Sequence, residues 1–345
     1  MAMTVSLSDA YQMVRDCFFA KLVPMVTGSP GMGKSSMLHA VAEELNLKII
    51  DIRLAQCDPT DLLGFPAIND ESGKATYRPM DMFPLEGDPI PKGYQGWMIL
   101  LDEMNSADRD VQKACYKVIY DRMVGNKHLH KNCVIAAAGN LATDNAIVED
   151  LSTALQSRMV HIEVSMDHDP NREDWLEWAA ENGIDHRVMA YIRYAPNSLF
   201  KFNPDHDDKT FSCPRTWEFA SRLIQDKKRL TRTDKALIAG TVGEGVGREF
   251  TAFCEIETQI PTFREVIDDP KGTQLPNEPS VMFLMTGMIG ANLTGDNIGQ
   301  AIQYINRLPK EYQVIALRDA RRRDKTLKEA PEMKQWISEN ATELF

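Results

Sequence analysis

The residues best suited to chemistry stand near the start of the chain, in the run Gly28-Ser29-Pro30-Gly31-Met32-Gly33-Lys34-Ser35-Ser36. Through Ser35 the run reads G-x-x-x-x-G-K-S, and glycines at that spacing let backbone N–H groups turn toward a polyphosphate. Lys34 would reach the β- and γ-phosphates, and the Ser35 hydroxyl would ligate magnesium. A second group lies at Trp97-Met98-Ile99-Leu100-Leu101-Asp102-Glu103, an apolar run that ends in two carboxylates. Asp102 would hold the water shell of the magnesium. Glu103 would polarise an attacking water as general base. Asn140 closes another apolar run and is placed to orient that water; a simple turn residue is the alternative. Together these side chains point to binding and cleavage of a nucleoside triphosphate.

Such chemistry needs strands that end together. The apolar run before Gly28 predicts a strand, with its ladder over 25–27 because proline is tolerated only at a strand's start or edge. The segment 36–47 carries Met37, Leu38, Val41, Ala42 and Leu45 at helical spacing. That helix would aim its N-terminal dipole at the phosphates. Further strands are predicted over 48–54, 97–103, 132–138 and 159–164. A helix over 108–123 buries Val111, Ala114, Cys115, Val118 and Ile119. Another over 7–20 has Ser8 or Asp9 as its cap. The order predicts an α/β fold, a parallel sheet with ligand at the strand C-termini. The stretch 56–96, rich in Pro, Gly and Asp, reads as an insertion with short hairpin-like pieces that contacts a partner or substrate; a solvated connection is the alternative.

Beyond Asp167 strand signals nearly vanish. Helices are predicted over 173–182, 185–194, 214–225, 234–254, 279–293, 297–307 and 311–323, with a closing helix over 332–344. The expected organisation is a nucleotide-binding domain over 1–166, a helical lid over 167–232 and a helical C-terminal extension over 233–345. The length of 345 residues accommodates this. Net charge is −11 and the isoelectric point about 5.2. That balance disfavours broad, sequence-independent nucleic-acid binding, which depends on Lys and Arg neutralising phosphates. The six cysteines contain no C-x-x-C pair and read as reduced, mostly buried thiols. No signal pattern or membrane-spanning run is visible, so a soluble cytoplasmic protein is expected.

At this point the chain resembles the AAA+ ATPases, in particular the MoxR branch with its dynein-related relatives. The resemblance rests on Gly28 to Ser35, on Leu101-Asp102-Glu103-Met104-Asn105-Ser106-Ala107, on Ala138-Gly139-Asn140, on Leu155-Gln156-Ser157-Arg158-Met159 and on Ser212-Cys213-Pro214-Arg215. It covers roughly residues 5–230. It implies that Gly28 to Ser35 form Walker A, that Asp102 and Glu103 form Walker B and that Asn140 is sensor 1. Arg158 falls where the family keeps an arginine finger acting in trans, and Arg215 where sensor 2 contacts the γ-phosphate in cis. Arg109 is the fallback finger. The implied cofactors are ATP and Mg2+. The implied assembly is a homo-oligomeric ring, a hexamer, acting on a protein client, often through a partner with a von Willebrand factor A domain. The sequence departs from the family at Met104 and Ser106, at Leu141 where a proline is usual, and at Ser157 and Met159 around the finger.

Two rivals stay open. A nucleic-acid loader or motor would need a basic pore loop, whereas the insertion offers Lys74, Arg78 and Lys92 among many acids. A non-hydrolysing, nucleotide-gated scaffold is opposed by an intact Glu103. The pair His128 and His130 reads as loop rather than metal site, because no third ligand is implied. Arg321-Arg322-Arg323, flanked by Asp319 and Asp324, reads as a solvated helix face. Met282 to Met288 reads as core packing.

Overall fold

The apolar runs become neighbouring parallel strands in a computed structural model, which describes residues 3–68, 73–144, 151–166, 169–205 and 208–340. The chain divides into two units, Met1–Asn171 with Asn203–Asp205, and Arg172–Phe202 with His206–Phe345.

In the first unit the chain runs β1 (Thr4–Val5), α1 (Leu7–Phe19), β2 (Pro24–Thr27), α2 (Lys34–Glu44), β3 (Leu47–Arg53), α3 (Pro59–Leu63) and the hairpin β4 (Phe65–Ile68) and β5 (Ala75–Arg78). It continues through β6 (Gly96–Asp102), α4 (Arg109–Tyr116), the hairpin β7 (Met123–Val124) and β8 (Lys127–His128), β9 (Cys133–Gly139), α5 (Thr153–Gln156) and β10 (Val160–Val164). The main sheet has the order β1-β10-β2-β9-β6-β3, and every pairing in it is parallel. A central parallel strand is covered on both faces and so reads as a continuous apolar run. Accordingly Met98, Ile99, Leu100 and Leu101 of β6 are all fully buried, each contributing about 1.5–3 kcal/mol of apolar burial. Register brings the strand tips level: Thr27 pairs with Gly139, and Arg53 with Asp102.

Several local expectations shift. Ser6, not Ser8 or Asp9, caps α1; its hydroxyl accepts from the Asp9 amide over 3.0 Å. The ladder of β2 includes Pro24, which stands at the strand's first position, where its missing N–H costs least. Helix α2 starts directly at Lys34, because Gly33 already takes the left-handed turn at φ +107°. The helix expected over 108–123 gives way to a π turn at Lys117–Asp121, and Arg122 ends it at φ +56°. The β7–β8 hairpin that follows was hidden by its length, as was edge strand β1; two residues show no periodicity. Within the insertion, β4 and β5 form the anticipated hairpin, and residues 69–72 lie outside the described residues.

The second unit is built of helices: α6 (Asp169–Glu181), α7 (His186–Tyr194), α8 (Pro214–Ile224), α9 (Arg232–Val242), α10 (Glu244–Ile256), α11 (Phe263–Asp268), α12 (Pro279–Asn292), α13 (Ile298–Ile305), α14 (Lys310–Arg323) and α15 (Pro331–Glu339). The single helix expected over 234–254 is two, broken where Gly243 adopts φ +93°. Helix α11 was too short to announce itself by periodicity. The end of the closing helix, 341–344, lies outside the described residues. Tyr191 packs tilted against Trp217 and edge-on against Phe250 and Phe253, and the indole of Trp217 donates to the Ser198 carbonyl over 2.7 Å. Leu284, Met285 and Met288 of α12 are buried, as core packing requires. The fold is thus a parallel α/β core followed by a helical region, as predicted. Among the described residues no helix is long and apolar enough to cross a membrane.

Candidate active site

The tip of β2 opens into the glycine loop, and the loop's shape explains its composition. Gly31 and Gly33 hold φ +76° and +107°, where a side chain would be strained. A Cβ on Gly28 would lie 2.4 Å from the Met32 sulfur and 2.9 Å from the Val164 carbonyl, so only glycine fits that close approach. Met32 is buried beneath the loop, while the Ser36 side chain on α2 is exposed.

Lys34 is buried at the start of α2. Its ammonium donates to the carbonyls of Gly28 (2.7 Å) and Ser29 (2.9 Å) and to Oδ1 of Asn140 (3.2 Å). The Ser35 hydroxyl donates to Oδ2 of Asp102 over 2.9 Å. Residues from the tips of β2, β6 and β9, far apart in sequence, therefore meet in one place. Glu103 lies just beyond β6 rather than within it. Its backbone turns left-handed at φ +55°, and its amide donates to Oδ1 of Asp102 over 2.9 Å. The turn separates the two carboxylates, leaving Asp102 beside Ser35.

These donors fit the groups that the glycine loop implies. A hydroxyl and a carboxylate are hard oxygen ligands of the kind magnesium takes alongside phosphate oxygens. Among the described residues no cluster of three or more His, Cys, Asp or Glu side chains converges, so an all-protein metal cage is not on offer.

Arg158 follows α5. Its guanidinium carbon lies 4.2 Å from the ring centre of Tyr116 and 4.5 Å from that of Tyr120, and Nη1 donates to the Ala154 carbonyl over 2.7 Å. The π turn spaces the two rings 6.4 Å apart on one face. Arg109 is exposed at the first position of α4. Arg215 is exposed in the first turn of α8, in the second unit.

Four neighbours escaped sequence reasoning. Asn105 stood within a quoted motif without a role, although it binds the backbone of Asn140. Tyr116 and Tyr120 had an i, i+4 spacing that could have flagged them, but they lie off the buried stripe. Asp144 lies close enough to Ser29 and Lys34 for both to act on its carboxyl. Burial still holds that carboxyl above the ordinary range, against the Ser29 hydrogen bond and the Lys34 charge. The cysteines play no part. All six are free, and burial lifts Cys115 to about 12 and Cys133 to about 11. His130 packs edge-on against Trp97, with ring centres 4.9 Å apart, and accepts from the Asn132 amide.

Comparison with known proteins agrees with this geometry. Residues 24–166 match the family model for the ATPase family associated with various cellular activities (AAA). Loosely similar solved structures include a proposed ATPase from Cytophaga hutchinsonii, at 14% identity and a TM-score of 0.37, covering 97% of this chain and 88% of that one. NtrX from Brucella abortus aligns at 13% identity and 0.37, covering 97% of this chain and 66% of its own. A RuvB variant from Thermotoga maritima aligns at 15% and 0.34, covering 90% and 80%. None is close enough to add to the reading of the site. No curated protein sequence matches the chain. The family match falls on the very segment whose strands bring Lys34, Ser35, Asp102 and Asn140 together, and the chain that carries it is an ATP-hydrolysing enzyme.

Proposed function

We propose that the protein is a ring-forming AAA+ remodeller of the MoxR type, which uses ATP hydrolysis to act on a protein client or partner. The observation that carries this reading is the convergence of Lys34, Ser35, Asp102 and Asn140 at the strand tips. Phosphoryl transfer needs positioning and neutralisation of developing charge more than covalent chemistry. Lys34 supplies a buried positive charge at the loop. Ser35 and Asp102 would hold Mg2+, which would supply charge neutralisation at the phosphate oxygens. Glu103 takes the proton of the attacking water, and Asn140 orients that water. Arg215 is the candidate for the sensor 2 role that the resemblance implies.

Arg158 is the candidate finger offered to a neighbouring subunit, with Tyr116 and Tyr120 as its platform. Tyr120 is 61% exposed, which suits a surface that meets another chain. An arginine supplied across an interface makes hydrolysis depend on assembly, so that a ring can convert it into rigid-body motion of helical parts. In this reading residues 167–232 act as lid and 233–345 as extension. The net charge of −11 and the insertion over 56–96 favour a protein partner, such as one with a von Willebrand factor A domain, in the cytoplasm.

The test is ATPase rate against protein concentration, for wild type and Arg158→Ala, with mass photometry alongside. Specific activity should rise as a ring assembles, and the variant should assemble yet stay inactive. Activity flat with concentration and indifferent to Arg158 would mean a self-contained NTPase and end the remodelling reading.

A further inference from the structure

Asn105 sits in the short turn Met104–Ser106 beyond β6 and is only 9% exposed. Its carboxamide meets the backbone of Asn140 at two points. Nδ2 donates to the Asn140 carbonyl over 2.6 Å, and Oδ1 accepts from the Asn140 amide over 3.1 Å. Because one partner is a carbonyl and the other an N–H, a single orientation of the carboxamide satisfies both. Backbone pairing between β6 and β9 ends at Leu101 and Ala137. The Asn105 side chain takes over where it stops, presenting a donor and an acceptor as a peptide would.

Gly139 completes the arrangement. A Cβ there would lie 2.3 Å from Oδ1 of Asn105 and 2.8 Å from the Met25 methyl, so the clamp closes only over glycine. The side chain of the clamped residue then accepts from Lys34 over 3.2 Å. The chain of contacts runs from the β6 turn through the Asn140 peptide to the phosphate loop.

We propose that Asn105 is a positioning residue for hydrolysis: its carboxamide fixes the Asn140 peptide and thereby aims the Asn140 side chain at the loop. This rests on the reading that Asn140 takes part in hydrolysis. Asparagine is matched to the task. Aspartate keeps the acceptor but sets a carboxylate oxygen against the Asn140 carbonyl, and alanine removes both contacts. A displacement of about 1 Å at a positioned group can cost about 10²-fold in rate.

The experiment measures steady-state ATP hydrolysis and binding of a fluorescent ATP analogue, with circular dichroism to verify folding. The variants are Asn105→Ala, Asn105→Asp, Gly139→Ala, the double Asn105→Ala/Gly139→Ala, and Asn140→Ala as reference. The single variants at 105 and 139 should keep nucleotide affinity within about threefold while kcat falls by about 10–100-fold. Adding Gly139→Ala to Asn105→Ala should cost little more, since both break the same clamp. If Asn105→Ala does not fold, the near-isosteric Asn105→Asp and the strand-side Gly139→Ala carry the test. Folded variants at 105 that keep kcat within twofold while Asn140→Ala loses it would overturn the clamp and leave the role of Asn140 standing. Asn140→Ala at wild-type kcat would remove that role and the clamp together. Parallel loss of affinity and kcat in folded variants would make Asn105 a support of the loop, which also overturns the proposal.

Discussion

The Ser35 hydroxyl and the Asp102 carboxylate are hydrogen-bonded across 2.9 Å, tying the first turn of α2 to the tip of β6. Two oxygen donors from distant stretches of sequence are thus set side by side by the fold itself. Asp102→Asn keeps the shape but gives up the negative charge. It should raise the Mg2+ concentration for half-maximal turnover by about 10–100-fold. A magnesium titration of ATP hydrolysis checks this, and an unchanged midpoint would remove Asp102 from the metal site.

Glu103→Gln should trap nucleotide without turning it over. Loss of a general base typically costs about 10²–10⁴-fold. Retention of ATP on a desalting column, beside a phosphate-release assay, separates binding from chemistry. Undiminished phosphate release would assign the base elsewhere.

The tyrosine platform makes a prediction that distinguishes ring faces from hydroxyls. Tyr116→Phe and Tyr120→Phe keep a surface for the Arg158 guanidinium, whereas leucine at either position does not. A cation–π contact is worth about 0.5–2 kcal/mol, so melting temperature should move little in any of them. The leucine variants should lose about tenfold or more of the concentration-dependent rise in ATPase activity, since a finger is worth about 10³–10⁵-fold when in place. Leucine variants that match the phenylalanine ones would show that the platform has no role in catalysis.

In the helical unit, Asp185 and Arg187 form a pair with side chains 7% and 5% exposed, joined at 2.7 Å. Arg187 also donates to the carbonyls of Ile224 and Lys227. Burial pushes the Asp185 carboxyl up, but the Arg187 hydrogen bonds and the nearby His186 charge outweigh it and leave the carboxyl below its ordinary value. A carboxyl depressed in the fold contributes stability above its unfolded pKa, about 3.9 for Asp, and that stability is lost as pH falls through the lower folded value. Arg187→Ala should therefore cost about 3–5 kcal/mol near neutrality by stranding a buried charge. Asp185→Asn should flatten the acid limb of the stability curve, read from denaturant melts between about pH 5 and 2. An unaltered acid limb would show that other groups govern it.

The α/β core was legible because its strands are buried on both faces. Runs such as Met98 to Leu101 admit no polar residue, and their ends coincide with the residues that do chemistry. The glycine loop was legible because its backbone angles exclude other residues. What stayed hidden depends on contacts between distant segments. Asn105 looks like any turn asparagine until Asn140 is beside it. The two tyrosines lie off the buried stripe, and their i, i+4 spacing does not show that Arg158 comes to meet them. The break at Gly243 was missed because apolar residues continue at helical spacing across it, while the glycine's angle interrupts the helix.

Glu103 holds its left-handed turn at φ +55° without being glycine. For such a residue that conformation costs about 1–2 kcal/mol, a cost asparagine largely escapes. Evolution under heat alone would therefore push this position away from glutamate, and Glu103→Asn should melt higher than the natural chain while hydrolysing far less ATP. A laboratory selection for robust folding would reward that loss, because at this one backbone angle durability and turnover favour different side chains.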